Sequence, residues 1–164
     1  MDTNFFAYMQ QLELLAFFSG YPLVYATVVF LAGNKQPTPN FKNRVVACLP
    51  SGYAMVGILF LGLELKNLYP DYSIQHIKDA IHQPWLFLWA LVSLVFWMPA
   101  FQQKKYFSLI HSLVFFLLLL GDLLSHVSSS SVIRNDMNVY STSLMLNAGT
   151  FLFITLLSYL FRRK

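Results

Sequence analysis

The groups best placed for chemistry lie on one apolar stretch, Tyr106 to Val127, which carries Ser108 and His111 early and Asp122 and His126 near its far end. At about 100° per residue these side chains, with Ser125, fall within roughly a quarter-turn, so a helix there has a single polar stripe. Ionisable groups in an apolar helix are costly in lipid and face a bundle interior or a water-filled cavity. Asp122, His126, Glu64, Glu13 and Asn147 all fall towards one border of their apolar runs. Carboxylates in poor solvent share protons or bind cations, so this set sketches a proton, metal or cationic-substrate site. The competing reading is that these groups sit within a turn or two of the interface and snorkel to water.

His111 stands apart from that set. A b-type haem in a bundle wants two axial histidines on facing helices, and no other apolar run supplies one. The expected role of His111 is therefore a hydrogen bond to a neighbouring helix, with Ser108 and Ser112 as helpers. His76, Asp79 and His82 follow one another at i, i+3 and i+6 and are of types that bind zinc or copper. That spacing turns the two imidazoles about 120° apart on a helix and matches no zinc signature, so a solvated polar face is the preferred reading. No HExxH, glycine-rich phosphate loop or paired lipid-pyrophosphate aspartates occur, and nothing pairs a serine or Cys48 with a base. No cofactor is predicted, and an enzyme is unsupported.

The elements that must position these residues follow from composition. The chain has 164 residues and is 57% hydrophobic, 17% aromatic and 11% charged, whereas soluble domains are about 25% charged. It reads as one all-α integral membrane domain, because backbone groups in lipid must be satisfied within helices. Five apolar runs, over residues 14–32, 45–65, 85–101, 106–127 and 139–161, each approach the ~20 residues that cross a bilayer. Pro22, after Ser19-Gly20-Tyr21, predicts a kink in the first run. In the second, Pro50-Ser51-Gly52 interrupts early, and Gly52, Ala54, Gly57 and Gly62 permit close helix approach. SGYPLV in the first run echoes SGYAMV in the second, on helices of opposite direction, a faint form of the inverted repeats that transporters use.

Residues 73–83 place Ile74, Ile77 and Ile81 on one side and polar groups mainly on others, predicting a short interfacial amphipathic helix between the second and third spans. Pro99 closes the third run, the serine-rich stretch after the fourth reads as a loop, and Asn138 or Ser141 is a candidate cap for the last helix. The N-terminal residues lack the Lys or Arg of a secretory signal, so the first run is kept as a span.

The net charge of +4 is scattered at helix ends with no basic stripe, which argues against nucleic acid. Cys48 alone allows no internal disulfide or CxxC pair. Counted by side, the first and third loops and the C-terminal tail hold eight Lys and Arg, the opposite side three. The positive-inside rule then puts the N-terminus outside and the C-terminus in the cytoplasm. A bacterial inner membrane is the default, with no glycosylation sequon present. The leading functional expectation is a non-catalytic binding or accessory subunit of a larger membrane complex, its partners being the bilayer and other membrane subunits or further copies of itself. The alternatives are a small transporter or proton/cation conductor built on Asp122, and a membrane-embedded redox or metal-dependent enzyme.

Overall fold

A computed structural model describes residues 3–32, 41–70, 72–73, 77, 84–125 and 130–161. Among these every regular element is helical: α1 (Thr3–Phe18), α2 (Tyr21–Ala32), α3 (Phe41–Ala47), α4 (Leu49–Leu68), α5 (Pro84–Val92) with a 3₁₀ continuation (Ser93–Trp97), α6 (Pro99–Gln102), α7 (Lys105–Ser125) and α8 (Ser130–Phe161). Among the described residues four stretches are long and apolar enough to cross a membrane: Gln11–Ala32, Asn43–Leu68, Tyr106–Ser125 and Ile133–Phe161. The third apolar run gives a shorter apolar helix, Pro84–Trp97, rather than a continuous helix over 85–101. It stops because Met98 precedes Pro99; the proline ring disfavours helical geometry in the residue before it, and Met98 is extended, at φ −72° and ψ 136°.

Two boundaries differ from the sequence reading. The helix of the first run begins at Thr3, well ahead of residue 14, as the opening turns of α1. The last helix starts at Ser130, so Asn138 and Ser141 lie inside it; the Ser141 hydroxyl donates to the Asn138 carbonyl at 3.0 Å, within its own helix. Most of the expected interfacial helix over 73–83 lies outside the described residues. What is described there is one helical bond, from the Ile77 N–H to the Ser73 carbonyl at 3.0 Å.

Long apolar helices are held by aromatic packing. Phe18 stacks on Phe115 with centroids 4.6 Å apart, and Phe60 meets Phe18 edge-on at 5.5 Å and Phe17 at 5.6 Å. Such pairs contribute about 0.5–1.5 kcal/mol beyond the area they bury. The pairs also fix direction. Along α1 and α2, Gln11, Phe18 and Tyr21 meet Asp122, Phe115 and Ser108 of α7 in reverse order. Phe60, Tyr53 and Ser51 of α4 meet Phe87, Phe96 and Gln102 likewise. Gly57 of α4 lies directly under Ser93, where a Cβ would strike the serine hydroxyl. Outside this core the large side chains Phe30, Leu31, Met145, Leu156 and Phe161 are exposed, the outward apolar face that suits lipid.

Candidate functional site

The two SGY stretches converge on the same pair of helices. Gly20 lies against the α8 backbone at Ser143 and Leu144, and Gly52 lies against Phe151, where an added Cβ would be 3.2 Å from the Phe151 Cα. Seven residues, two helical turns, separate the α8 contacts at Leu144 and Phe151. The two tyrosines turn to α7. Tyr21 Oη bonds Ser108 Oγ at 3.0 Å, and Tyr53 Oη bonds His111 Nδ1 at 2.7 Å, so their partners are one turn apart on α7. The rings of Tyr21 and Tyr53 touch, with centroids 4.4 Å apart. Both tyrosines are buried, and the repeat seen faintly in the sequence is thus one unit of contact used twice: a glycine against α8 and a hydroxyl onto α7.

His111 is the centre of the second unit. Its ring stacks on Trp89 at 4.8 Å and 13°, with Phe96 and Phe115 edging it at 5.7 Å each. Nε2 lies 2.8 Å from the Trp89 carbonyl, and the Trp89 indole N–H returns a longer bond of 3.4 Å to the His111 carbonyl. A carbonyl only accepts, so the hydrogen belongs on Nε2; a neutral ring then accepts the Tyr53 hydroxyl hydrogen at Nδ1. Both ring nitrogens are thus engaged within the bundle, Nε2 by its hydrogen and Nδ1 by its lone pair. Ser108 serves Tyr21 rather than His111, and Ser112 bonds back to the Leu109 carbonyl at 2.9 Å.

The first unit carries a break. Residues Ser19 and Gly20 separate α1 from α2, and Pro22 has no N–H for the Phe18 carbonyl one turn behind it. In a helix the Gly20 N–H would go to the Ala16 carbonyl; here it donates to Ser143 Oγ at 2.7 Å. Asn147 Nδ2 donates to the Phe17 carbonyl at 2.8 Å and to the Ser143 carbonyl at 2.8 Å. A broken helix at membrane depth needs such neighbouring side chains to replace lost backbone bonds. Asn147, grouped with the acids by sequence, is thereby placed at the break, six residues or about 9 Å along α1 from the Gln11 contact with Asp122.

Of the remaining predicted residues, Asp122, Glu13 and Glu64 gather at one end. Gln11 Nε2 donates to Asp122 Oδ2 at 3.3 Å, and Glu13, which is exposed, lies close enough to act electrostatically on Glu64, which is 9% exposed. His126 and the trio His76, Asp79 and His82 lie outside the described residues. Among the described residues no three His, Cys, Asp or Glu side chains gather as a metal site would require.

At the same end the sequence reading misses Asp136. It is 1% exposed and lines a cleft of about 240 Å³ between α7 and α8, with Phe116, Leu119, Leu123 and Tyr140. The serine-rich composition ahead of it reads as a loop, but Asp136, Tyr140, Ser143, Asn147 and Thr150 recur at helical spacing, and that periodicity is the signal that would have found it. Compared with known proteins, the chain matches no family, no curated protein and no solved structure.

Proposed function

We propose that this chain is a small polytopic membrane protein that works as a non-catalytic binding or accessory subunit of a larger membrane complex. The observation that carries the reading is where the mid-helix polar groups go. Ser143, Asn147, Ser108, Tyr21, Tyr53 and His111 tie helix to helix, as the polar glue of a scaffold does. The last helix meanwhile buries only 17% of its most apolar window, leaving Met145, Leu152, Leu156 and Leu160 outward for lipid or for another subunit.

A topology of five spans accompanies this proposal, with the N-terminus outside, the C-terminus cytoplasmic and a bacterial inner membrane as the setting. Two observations support the short helix Pro84–Trp97 as the third span. It runs antiparallel to α4 from the level of Phe60 to that of Tyr53, and so reaches well into the bundle. Five spans also divide the Lys and Arg residues eight to three, whereas four spans, with that helix left in a loop, divide them seven to four. Capture of the tagged protein from its native membrane in mild detergent, with mass analysis of the intact assembly, tests the function. Recovery in fixed ratio with unrelated subunits is the expected result; recovery as a monomer or homo-oligomer overturns it.

A second reading has its own observation. Gln11 with Asp122, and Glu13 with Glu64, bring acids of three helices to one end, as a proton- or cation-conducting protein would require. On that reading Asp122→Asn abolishes flux in proteoliposomes while leaving the folded bundle intact, and unchanged flux removes it.

A further inference from the structure

The charged residues are divided between the two ends of the bundle more completely than membrane orientation requires. Among the described residues the acids Glu13, Glu64, Asp122 and Asp136 all lie at the end where Gln11 meets Asp122. In the sequence no Asp or Glu occurs in residues 14–63, 80–121 or 137–164, which hold eight of the eleven Lys and Arg. Arg44 and Lys104 among them stand at the opposite end, where α4 begins and Gln102 reaches Ser51. The positive-inside rule asks for an excess of Lys and Arg on one side and is nearly indifferent to Asp and Glu. An end without carboxylates is, in addition, suited to meeting anions. At that end α2 and α7 flank a lateral groove of about 590 Å³, walled by Pro22, Tyr25, Ala26, Val29, Phe30 and Leu109. Small-molecule sites occupy about 300–1,000 Å³. Pro22, Ala26 and Phe30 recur every four residues, so the groove follows one face of α2 for about 12 Å, and Ala26 and Phe30 are exposed along it. Lys105, in the first turn of α7, stands four residues before Leu109 and so shares its side of the helix. Lys104 precedes it, with its ammonium 5.5 Å from the centre of the half-exposed Phe107 ring, on the flank of the bundle. The start of α7 adds the positive end of its helix dipole. In the wall, Tyr25 is 5% exposed and its hydroxyl has no hydrogen-bond partner among the described residues. A buried hydroxyl in that state calls for a partner from outside the chain.

We infer that this groove holds one anionic phospholipid, its acyl chain along Pro22, Ala26 and Leu109 and its phosphate at the Lys104–Lys105 head of α7. Basic groups at the mouth of a pocket between membrane helices recognise anionic lipid head groups in this way. The arrangement favours a lipid over an acidic protein segment. Its walls are hydrocarbon and aromatic ring, and its positive charge stands at one place only, which matches a long apolar chain with a single charged head. The inference rests on the membrane setting proposed above but not on the accessory role, because a conducting protein would hold such a lipid equally well.

The test uses the purified full chain, stripped of lipid in detergent and melted with phosphatidylglycerol or with phosphatidylcholine of the same acyl chains, while native mass spectrometry counts the lipids retained. Phosphatidylglycerol is expected to raise Tm over phosphatidylcholine by about 2–4 °C, with one lipid kept per chain. Lys104→Gln with Lys105→Gln is expected to weaken phosphatidylglycerol binding about fivefold for each charge removed. Ala26→Trp, which fills the groove from an exposed position, is expected to lose the retained lipid. Arg162→Gln with Arg163→Gln, beyond the last helix, should change little. Equal stabilisation by the two lipids overturns the inference and leaves the membrane reading standing. Equal losses from the lysine pair and the arginine pair overturn it by revealing a diffuse basic rim. Lipid kept in Ala26→Trp, or a protein subunit found seated on this face in its place, overturns it as well. Should a variant not fold, the wild-type comparison of the two lipids decides.

Discussion

The stretches Ser19–Tyr21 and Ser51–Tyr53 carry the same three residues and reach the same two helices, yet the first opens in the break between α1 and α2, whereas the second lies inside α4, past the break at Cys48 between α3 and α4. The difference is the place of a single proline. Pro50 precedes the second SGY and falls at the start of α4, so the Gly52 N–H keeps an ordinary helical bond to the Cys48 carbonyl at 2.9 Å. Pro22 follows the first SGY, and the Gly20 N–H must look sideways to Ser143. Near-identical local sequence thus gives a rigid packing surface in one span and, in the other, a break that depends on α8 for its bonds.

The largest expected effect separates the two glycines. A Cβ on Gly20 would overlap the α8 backbone, which cannot move without displacing the Ser143 and Asn147 bonds, whereas a Cβ on Gly52 would press only lightly on Phe151. Gly20→Ala should cost about 3 kcal/mol or more, enough to remove folded protein from a detergent extract, and Gly52→Ala about 1 kcal/mol. Thermal melting monitored by size-exclusion recovery compares them; equal losses would mean that the two glycines are not doing different jobs.

Next in size is the contrast between the tyrosines. Tyr53→Phe leaves His111 Nδ1 buried without its partner, at a cost of about 2 kcal/mol. Tyr21→Phe leaves Ser108, whose hydroxyl can rotate onto a carbonyl of its own helix, so about 0.6 kcal/mol is expected. The test is the difference in melting temperature between the two variants. If Tyr21→Phe proves the costlier, the His111 knot is not the firmer of the two units.

These contrasts also show what could be read from the chain. Apolar run length and composition carry the helical architecture, and Pro22 announces a kink, because each is a property of a few neighbouring residues. The partners of the kink are invisible in that way: Ser143 and Asn147 lie more than 120 residues from Gly20 and Phe17 and show only as a mild polar stripe. Sequence grouped Asn147 with Asp122 by estimated depth, since depth can be counted along a helix while azimuth against a neighbour cannot. The Tyr53 bond to His111 was hidden for the same reason, although a helix-to-helix hydrogen bond was the expected fate of that histidine. Asp136 was hidden by composition, four serines just ahead of it outweighing its helical spacing with Tyr140 and Ser143.

A smaller contrast concerns what each serine-containing unit borrows from its surroundings. Asn147→Ala removes the donor to the Phe17 carbonyl and should cost about 1.5 kcal/mol, near the upper range for single hydrogen bonds between membrane helices. Gln102→Ala removes the amide on Ser51 from an exposed position, where water can take its place, and should cost under about 0.6 kcal/mol. Denaturation of both variants in the same micelle ranks them. A Gln102→Ala loss as large as that of Asn147→Ala would show that the second unit leans on its neighbours as heavily as the first.

The finest test asks whether the proline itself creates the dependence on α8. Pro22→Ala turns SGYPLV into SGYALV, close to the SGYAMV of the second span, and restores an N–H for the Phe18 carbonyl. If Pro22 forces the Gly20 N–H away from Ala16, then Ser143→Ala should cost about 0.6–1 kcal/mol in the native background and almost nothing in Pro22→Ala. A double-mutant cycle on the melting free energies measures that coupling. Zero coupling would assign the break to the tight approach of Gly20 to α8 instead: the glycine would bend the helix, and the proline would merely follow where the bend already left a carbonyl unused.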